Sequence, residues 1–265
     1  MELEGLEVEL YGYLAVLTRI IGFVIVAPLF GRRNVPAVAK IGFSLFLAAV
    51  LYNMVNKSVF NNGVPTGTDS MYRYLFLLFE ESIAGLMLGF VSYAMFTAIY
   101  MAGQIIDMKV GFGVVNVIDP LSNIQVPITA NFYFIIAMVA FLAFRGHHAL
   151  IKSLFYSFES IPPGSVFFRD SMAADITRLL GNIFIIGFRI AAPVTAAVLV
   201  TDVALGIISR TIPQFNVFIV GMPLKIVLGI GIMLVSLPVL IEFLAGLFSE
   251  VGDEMLLFIK GMTKG

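Results

Sequence analysis

The chain has 265 residues, is 60% hydrophobic and 12% charged, and carries a formal net charge of −1; its mean hydropathy is +1.00. A soluble domain runs nearer to ~25% charged, so an ordinary soluble protein is excluded, and near-neutrality argues against a nucleic-acid partner. The apolar runs are continuous rather than alternating, which points to an all-α membrane protein and not a β-barrel.

The first ten residues carry Glu2, Glu4, Glu7 and Glu9. A cleavable signal peptide needs a basic start, so the first apolar run reads as part of the mature protein. That run covers roughly Leu10 to Phe30, holds Arg19, and should bend near Pro28. A basic turn, GRRNVP, precedes a second run from about Ala37 to Tyr52. Both are near the ~20 residues that cross a bilayer. Asn53 to Ser70 is polar and reads as an exposed loop.

The third run, Met71 to about Lys109, is too long for one simple span. It contains the adjacent Glu80 and Glu81, then Gly85 and Gly89 at a spacing that lets another backbone approach closely. Next comes GFGVVNVIDPLSNIQV, residues 111–126. Its glycines, Pro120 and turn-forming side chains break a helix. It reads as a non-helical loop between two membrane helices. Such backbone survives at membrane depth only where protein buries it or water lines it; the alternative is a loop at the membrane surface.

The fourth run covers roughly Val126 to Phe144. GHHALIKSLFYSFESIPPG then places Leu150, Leu154, Phe155 and Phe158 at helical spacing, as in an amphipathic or interfacial helix stopped by Pro162, Pro163 and Gly164. Ser171 to Arg210 is again long, with Pro193 expected to kink it. An irregular turn, RTIPQFNVFIVGMPLK, leads to a last run from Pro223 to about Phe248 and an amphipathic tail. Lys and Arg in the loops do not choose an orientation cleanly.

No HExxH, P-loop or GxSxG pattern occurs. His147 and His148 are adjacent and make a poor metal pair. Cysteine is absent, which excludes disulfides and thiol catalysis. No cofactor is implied. The charges within apolar runs are Arg19, Glu80, Glu81, Asp107, Arg189, Asp202 and Glu242. They read either as a hydrophilic path or as pairs within and between subunits. The 25 phenylalanines should face lipid or core.

Three stretches together resemble the FliR family of flagellar biosynthetic proteins. They are AGQIIDMKVGFGVVNVIDPLSNIQVP (102–127), GHHALIKSLFYSFESIPPG (146–164) and FRIAAPVTAAVLVTDVALGIISRTIPQFNVFIVGMPLK (188–225). The start, LTRIIGFVIVAPLFGRRNVP, also fits.

The resemblance implies a subunit of the flagellar type III export gate in the bacterial inner membrane, at the basal body. It would assemble with FliP and FliQ, near FlhB, and pass unfolded flagellar proteins. Residues 1–165 would be a FliP-like half of long kinked helices, and 166–265 a FliQ-like helical hairpin. A channel plug would run through Gly111, Phe112, Gly113, Val114, Val115, Asn116, Val117 and Ile118. Asp107, Lys109, Asp119 and Pro120 would flank it. The hairpin tip would carry Pro213, Gln214, Phe215, Asn216, Pro223 and Lys225. The rival readings are a secondary transporter for a small solute, whose halves should look like repeats, and an intramembrane enzyme, for which no motif is present.

Overall fold

The computed structural model describes residues 2–31, 35–54, 70–112, 127–212 and 216–263. Among them are eight α-helices and no strand: α1 (Glu2–Val26), α2 (Ala37–Met54), α3 (Ser70–Val110), α4 (Ile128–Ala143), α5 (Gly146–Ser160), α6 (Ser171–Thr211), α7 (Val217–Ser249) and α8 (Val251–Gly261). The fold is all-α, as composition requires. Five helical stretches are long and apolar enough to cross a membrane, or six if α4 and α5 count as one broken span.

Local chemistry sets the helix ends. Pro28 follows the end of α1 rather than bending it, and Gly31 donates to the Ala27 carbonyl in the turn beyond. The third apolar run is one continuous helix of 41 residues. It stops where Gly111 takes φ +102, a conformation glycine adopts freely, and donates to the Asp107 carbonyl. Between α4 and α5 the chain bends at Arg145, which takes φ 58, a left-handed conformation for a non-glycine residue. Pro193 lies inside α6, and Pro223 and Pro238 lie inside α7. The turn between these two helices is therefore shorter than the sequence suggests. Helix resumes at Val217, because the Asn216 side chain accepts the N–H groups of Phe218 (3.0 Å) and Ile219 (3.2 Å).

The chain divides into two compact units that interleave along the sequence. Unit 1 holds residues 1–94, 145–179 and 249–265; unit 2 holds 95–144 and 180–248. A single cut near residue 165 does not separate them.

In unit 1, α1 packs on α2, with Phe30 stacked on Phe43 at 4.4 Å and Tyr13 edge-on to Tyr52. The amphipathic stretch 146–160 is helical and turns one apolar face into the protein. Its buried Leu150, Leu154 and Phe158 lie in the core, and α5 packs on α8. The extended residues after α5 secure the end of α8: Phe167 N–H donates to the Met262 carbonyl, and Arg169 N–H to that of Gly261.

Unit 2 is built around a ring cluster. Phe96 stacks on Phe248 at 5.4 Å, and Phe141 meets both edge-on. An added Cβ on Gly187 would lie 3.2 Å from the Ala98 carbonyl oxygen, so α6 runs close against α3.

Candidate functional site

Unit 1 is organised by one buried charge. Arg19 on α1 is fully buried. Its Nε donates to Glu81 Oε2 at 2.6 Å, and Nη2 donates to Glu81 Oε1 at 3.1 Å. Nη1 donates to the Ser157 carbonyl (2.9 Å) and hydroxyl (3.3 Å), and Nη2 also donates to the Ile161 carbonyl (3.0 Å). A guanidinium has five N–H donors in a planar fork, and these contacts use all five. Two of the acceptors, the Ser157 and Ile161 carbonyls, lie at the C-terminal end of α5, where the helix dipole favours a cation; the Ser157 carbonyl also accepts the Ile161 N–H. The Phe158 ring lies 4.4 Å from the guanidinium carbon. Glu81, equally buried, also accepts the Gly164 N–H at 3.2 Å, and Gly164 turns the chain at φ +76. The knot joins α1, α3, α5 and the Pro-Pro-Gly turn, and satisfies both charges within the chain.

Glycine brings α1 and α3 together around it. An added Cβ on Gly85 would lie 2.0 Å from the Arg19 carbonyl oxygen, and one on Gly89 would lie 2.9 Å from that of Phe23. Gly22 on α1 faces Ser82 O at 2.7 Å in the same sense. The neighbour of Gly85 and Gly89 is thus α1 of the same chain. Glu80 is half-buried and also has a partner.

Unit 2 carries the stem of the glycine-rich segment. Asp107, on the last turn of α3, is 6% exposed. Its Oδ1 accepts the Thr129 N–H at 2.8 Å and its Oδ2 accepts that of Ala130 at 3.2 Å. Those are free donors in the first turn of α4, and an anion there also meets the positive end of the helix dipole. Pro127 before α4 makes no side-chain cap of its own, so Asp107 caps the helix from across the stem. Gly103 permits the approach: a Cβ there would lie 2.2 Å from Ala130 Cα. Gly113, Val114, Val115, Asn116, Val117, Ile118, Asp119 and Pro120 lie outside the described residues.

At the end of α3 an open cavity of about 550 Å³ lies beside the start of α7. Lys109, Gly111, Asp202, Phe218, Met222 and Lys225 are among the residues lining it. Lys225 and Asp202 form an ion pair. Val110 fills the notch at Gly229, where a Cβ would lie 2.6 Å from its methyl group. So the structure brings Lys109 and Gly111 at the loop stem together with Asp202 and Lys225 of the hairpin. Pro213, Gln214 and Phe215 lie outside the described residues, while Asn216 is the cap of α7 and Pro223 lies within that helix.

Two charges expected to be buried are not. Arg189 on α6 and Glu242 on α7 are exposed, and neither has an ion-pair or hydrogen-bond partner among the described residues. Sequence reasoning also missed Ser157, Ile161 and Gly103, and read Gly164 only as a helix stop. The first two act through backbone carbonyls, which residue type does not advertise. Gly103 sits beside Ala102 in a small-residue pair, but no second glycine at a helical spacing marks it as Gly89 marks Gly85.

Residues 10–251 match the family model described as bacterial export proteins, family 1. The chain is 38% identical to the flagellar biosynthetic protein FliR of Bacillus subtilis over 92% of either chain. It is 30% identical to that of Escherichia coli, covering 89% of this chain and 87% of the relative. The Aquifex aeolicus protein of the same name is 25% identical over 88% and 87%. With most of its length matched, the chain belongs to the bacterial export proteins, family 1, in its FliR branch, and is a membrane-embedded component of flagellar export rather than an enzyme.

Proposed function

We propose that this chain forms part of the channel through which unfolded flagellar proteins leave the cytoplasm, in the inner membrane at the basal body. FliP and FliQ subunits are its neighbours, with FlhB near the hairpin tip at Pro213 to Lys225. The first half, 1–165, resembles a FliP protomer, and the second, 166–265, a FliQ hairpin. In the resting state the segment Gly111 to Ile118 obstructs the channel.

The observation that carries this reading is the Asp107 clamp. It fastens the end of α3 to the start of α4 with two charge-assisted hydrogen bonds, so the segment between them has a fixed root. A plug needs such a root.

The test is deletion of 111–118 in a Bacillus subtilis strain whose own FliR gene is replaced by this one. The unaltered chain is expected to restore motility. The deletion is expected to leave the membrane complex assembled and to raise ion leakage through the inner membrane. Unchanged conductance in an assembled complex removes the plug role; failure of the unaltered chain to restore export removes the channel reading.

A further inference from the structure

Pro193 interrupts α6 in the middle of an apolar run. Proline has no N–H, so the carbonyl of Arg189, four residues back, loses its helical donor. The nearest hydroxyl along α6 does not replace it: Thr195 Oγ1 donates to the Ala191 carbonyl at 2.9 Å and to that of Ala192 at 3.1 Å. In a membrane helix a carbonyl freed in this way is answered by a neighbouring helix, a hydroxyl or an ordered water.

A cavity of about 90 Å³ lies beside this turn, lined among others by Tyr133 of α4, by Arg189 and Pro193, and by Ser236, Leu240 and Phe243 of α7. One ordered water needs roughly 10–15 Å³ of such space, with roughly two to four polar partners. The cavity offers both. Tyr133 is 1% exposed, and its side chain is hydrogen-bonded to that of Ser236, whose hydroxyl also donates to the Met233 carbonyl at 3.2 Å. Two hydroxyl oxygens so joined keep spare lone pairs. The Arg189 guanidinium carries N–H donors and has no ion-pair or hydrogen-bond partner among the described residues. Acceptors and donors therefore line one small cavity, and Leu240 and Phe243 compete for neither. Water serves both sets, since it donates to a carbonyl or hydroxyl oxygen and accepts from a guanidinium. A carboxylate would accept from the guanidinium but has no proton for the carbonyl, and an alkyl chain would answer neither.

We propose that this cavity is an internal hydration site, in which ordered water bridges the Arg189 carbonyl and guanidinium to the Tyr133–Ser236 pair. The proline kink of α6 is then closed by solvent where the backbone ladder is broken. Arg189 is the only charged residue between Asn182 and Thr201, and the same water lets it keep part of its hydration inside an apolar run. The proposal goes beyond the channel reading and does not depend on it.

The test uses the full chain in its native membrane complex. An electron cryo-microscopy map fine enough to show solvent is expected to place a water peak within hydrogen-bond distance of the Arg189 carbonyl and of the Tyr133 or Ser236 hydroxyl. A lipid tail or a neighbour's side chain filling the cavity overturns the proposal, as does an empty cavity in a map that shows water elsewhere in the complex. The map needs no substitution, so it decides the matter even where a variant fails to fold. A thermal cycle gives a second reading. Pro193→Ala returns an N–H to the Arg189 carbonyl and so removes one anchor of the water. Tyr133→Phe is then expected to lower the melting temperature less in the Pro193→Ala background than in the unaltered chain. Equal shifts in the two backgrounds would mean that the hydroxyl and the carbonyl share no water, and would also overturn the proposal.

Discussion

Arg19 of unit 1 and Arg189 of unit 2 sit in opposite settings. In unit 1, Arg19 and Glu81 are sealed from solvent, and every guanidinium donor has an acceptor in the same chain. In unit 2, Arg189 and Glu242 are exposed and have no ion-pair or hydrogen-bond partner among the described residues. A buried charge is tolerated when it is paired and hydrogen-bonded, and is heavily penalised when it is not. Unit 1 therefore looks finished, and the α6–α7 hairpin of unit 2 looks like one side of a contact. Obligate assembly is expected from the hairpin and not from the charges of the first helices, although sequence alone groups them together.

The largest test breaks the finished side. Arg19→Leu should cost about 3–5 kcal/mol, because Glu81 is left charged and buried. The expected readout is loss of the chain from membranes in a pulse-chase experiment, even with all partners present. The double change Arg19→Met with Glu81→Leu should recover most of the loss, since an apolar pair of similar volume replaces a buried ion pair at little cost. If the double variant is as unstable as the single, the knot matters for more than its charge balance.

Packing comes next and separates the close helix contacts of both units from the open stretches of α7. Gly85→Ala and Gly103→Ala place a Cβ within 2.0 Å and 2.2 Å of backbone atoms, so each should cost ~1–3 kcal/mol or more through backbone shifts. Gly231→Ala and Gly246→Ala on α7 meet nothing within 4 Å and should stabilise the helix by about 0.5–1 kcal/mol. Thermal melts of the detergent-solubilised chain check both directions. The second pair also sharpens the comparison: if either alanine weakens copurification of partners while raising the melting temperature, that glycine lies under a neighbouring subunit.

Smaller effects belong to the stem and the cavity. Asp107→Ala removes two charge-assisted bonds from the first turn of α4 and should cost about 1–2 kcal/mol. Faster amide exchange at Thr129 and Ala130 is the local signature, and unchanged protection there would show that the cap is redundant. Lys225→Met is the smallest. The pair with Asp202 is partly exposed, at 27% and 39% of the side chains, so its loss should shift stability by less than ~1 kcal/mol. A larger shift would mean that partners desolvate the site in the complex.

How much of this was readable beforehand depends on what each feature is made of. Apolar length located four of the eight helices, α2, α3, α4 and α6, to within a few residues at both ends, because hydropathy acts locally along the chain. The membrane class followed from composition. The family followed from three uncommon stretches in a fixed order, now supported by a match over residues 10–251. Pairing was not readable. Arg19 and Glu81 lie 62 residues apart, and nothing in a run holding Glu80 beside Glu81 tells which carboxylate turns inward. Nor could sequence separate Arg19, which is enclosed, from Arg189, which is open, since both sit in similar apolar runs. The interleaving of the units escaped for a similar reason: α3 and α6 each contribute to both, and a helix gives no local sign of where its neighbours change.

The Asp107 clamp has a consequence for how this protein can vary. Closing a loop loses entropy that grows only slowly with its length, by about 0.6 kcal/mol for each doubling. Because the clamp and Gly103 hold the two ends together by contacts within the stem, the folding of unit 2 is largely indifferent to what is strung between residues 112 and 127. Insertions, deletions and changes of sequence there can accumulate with little penalty in stability. The stem thus makes the segment an independently tunable part, open to exchange between relatives or to the insertion of a reporter in a way that no stretch of α1 or α3 around the Arg19 knot could be.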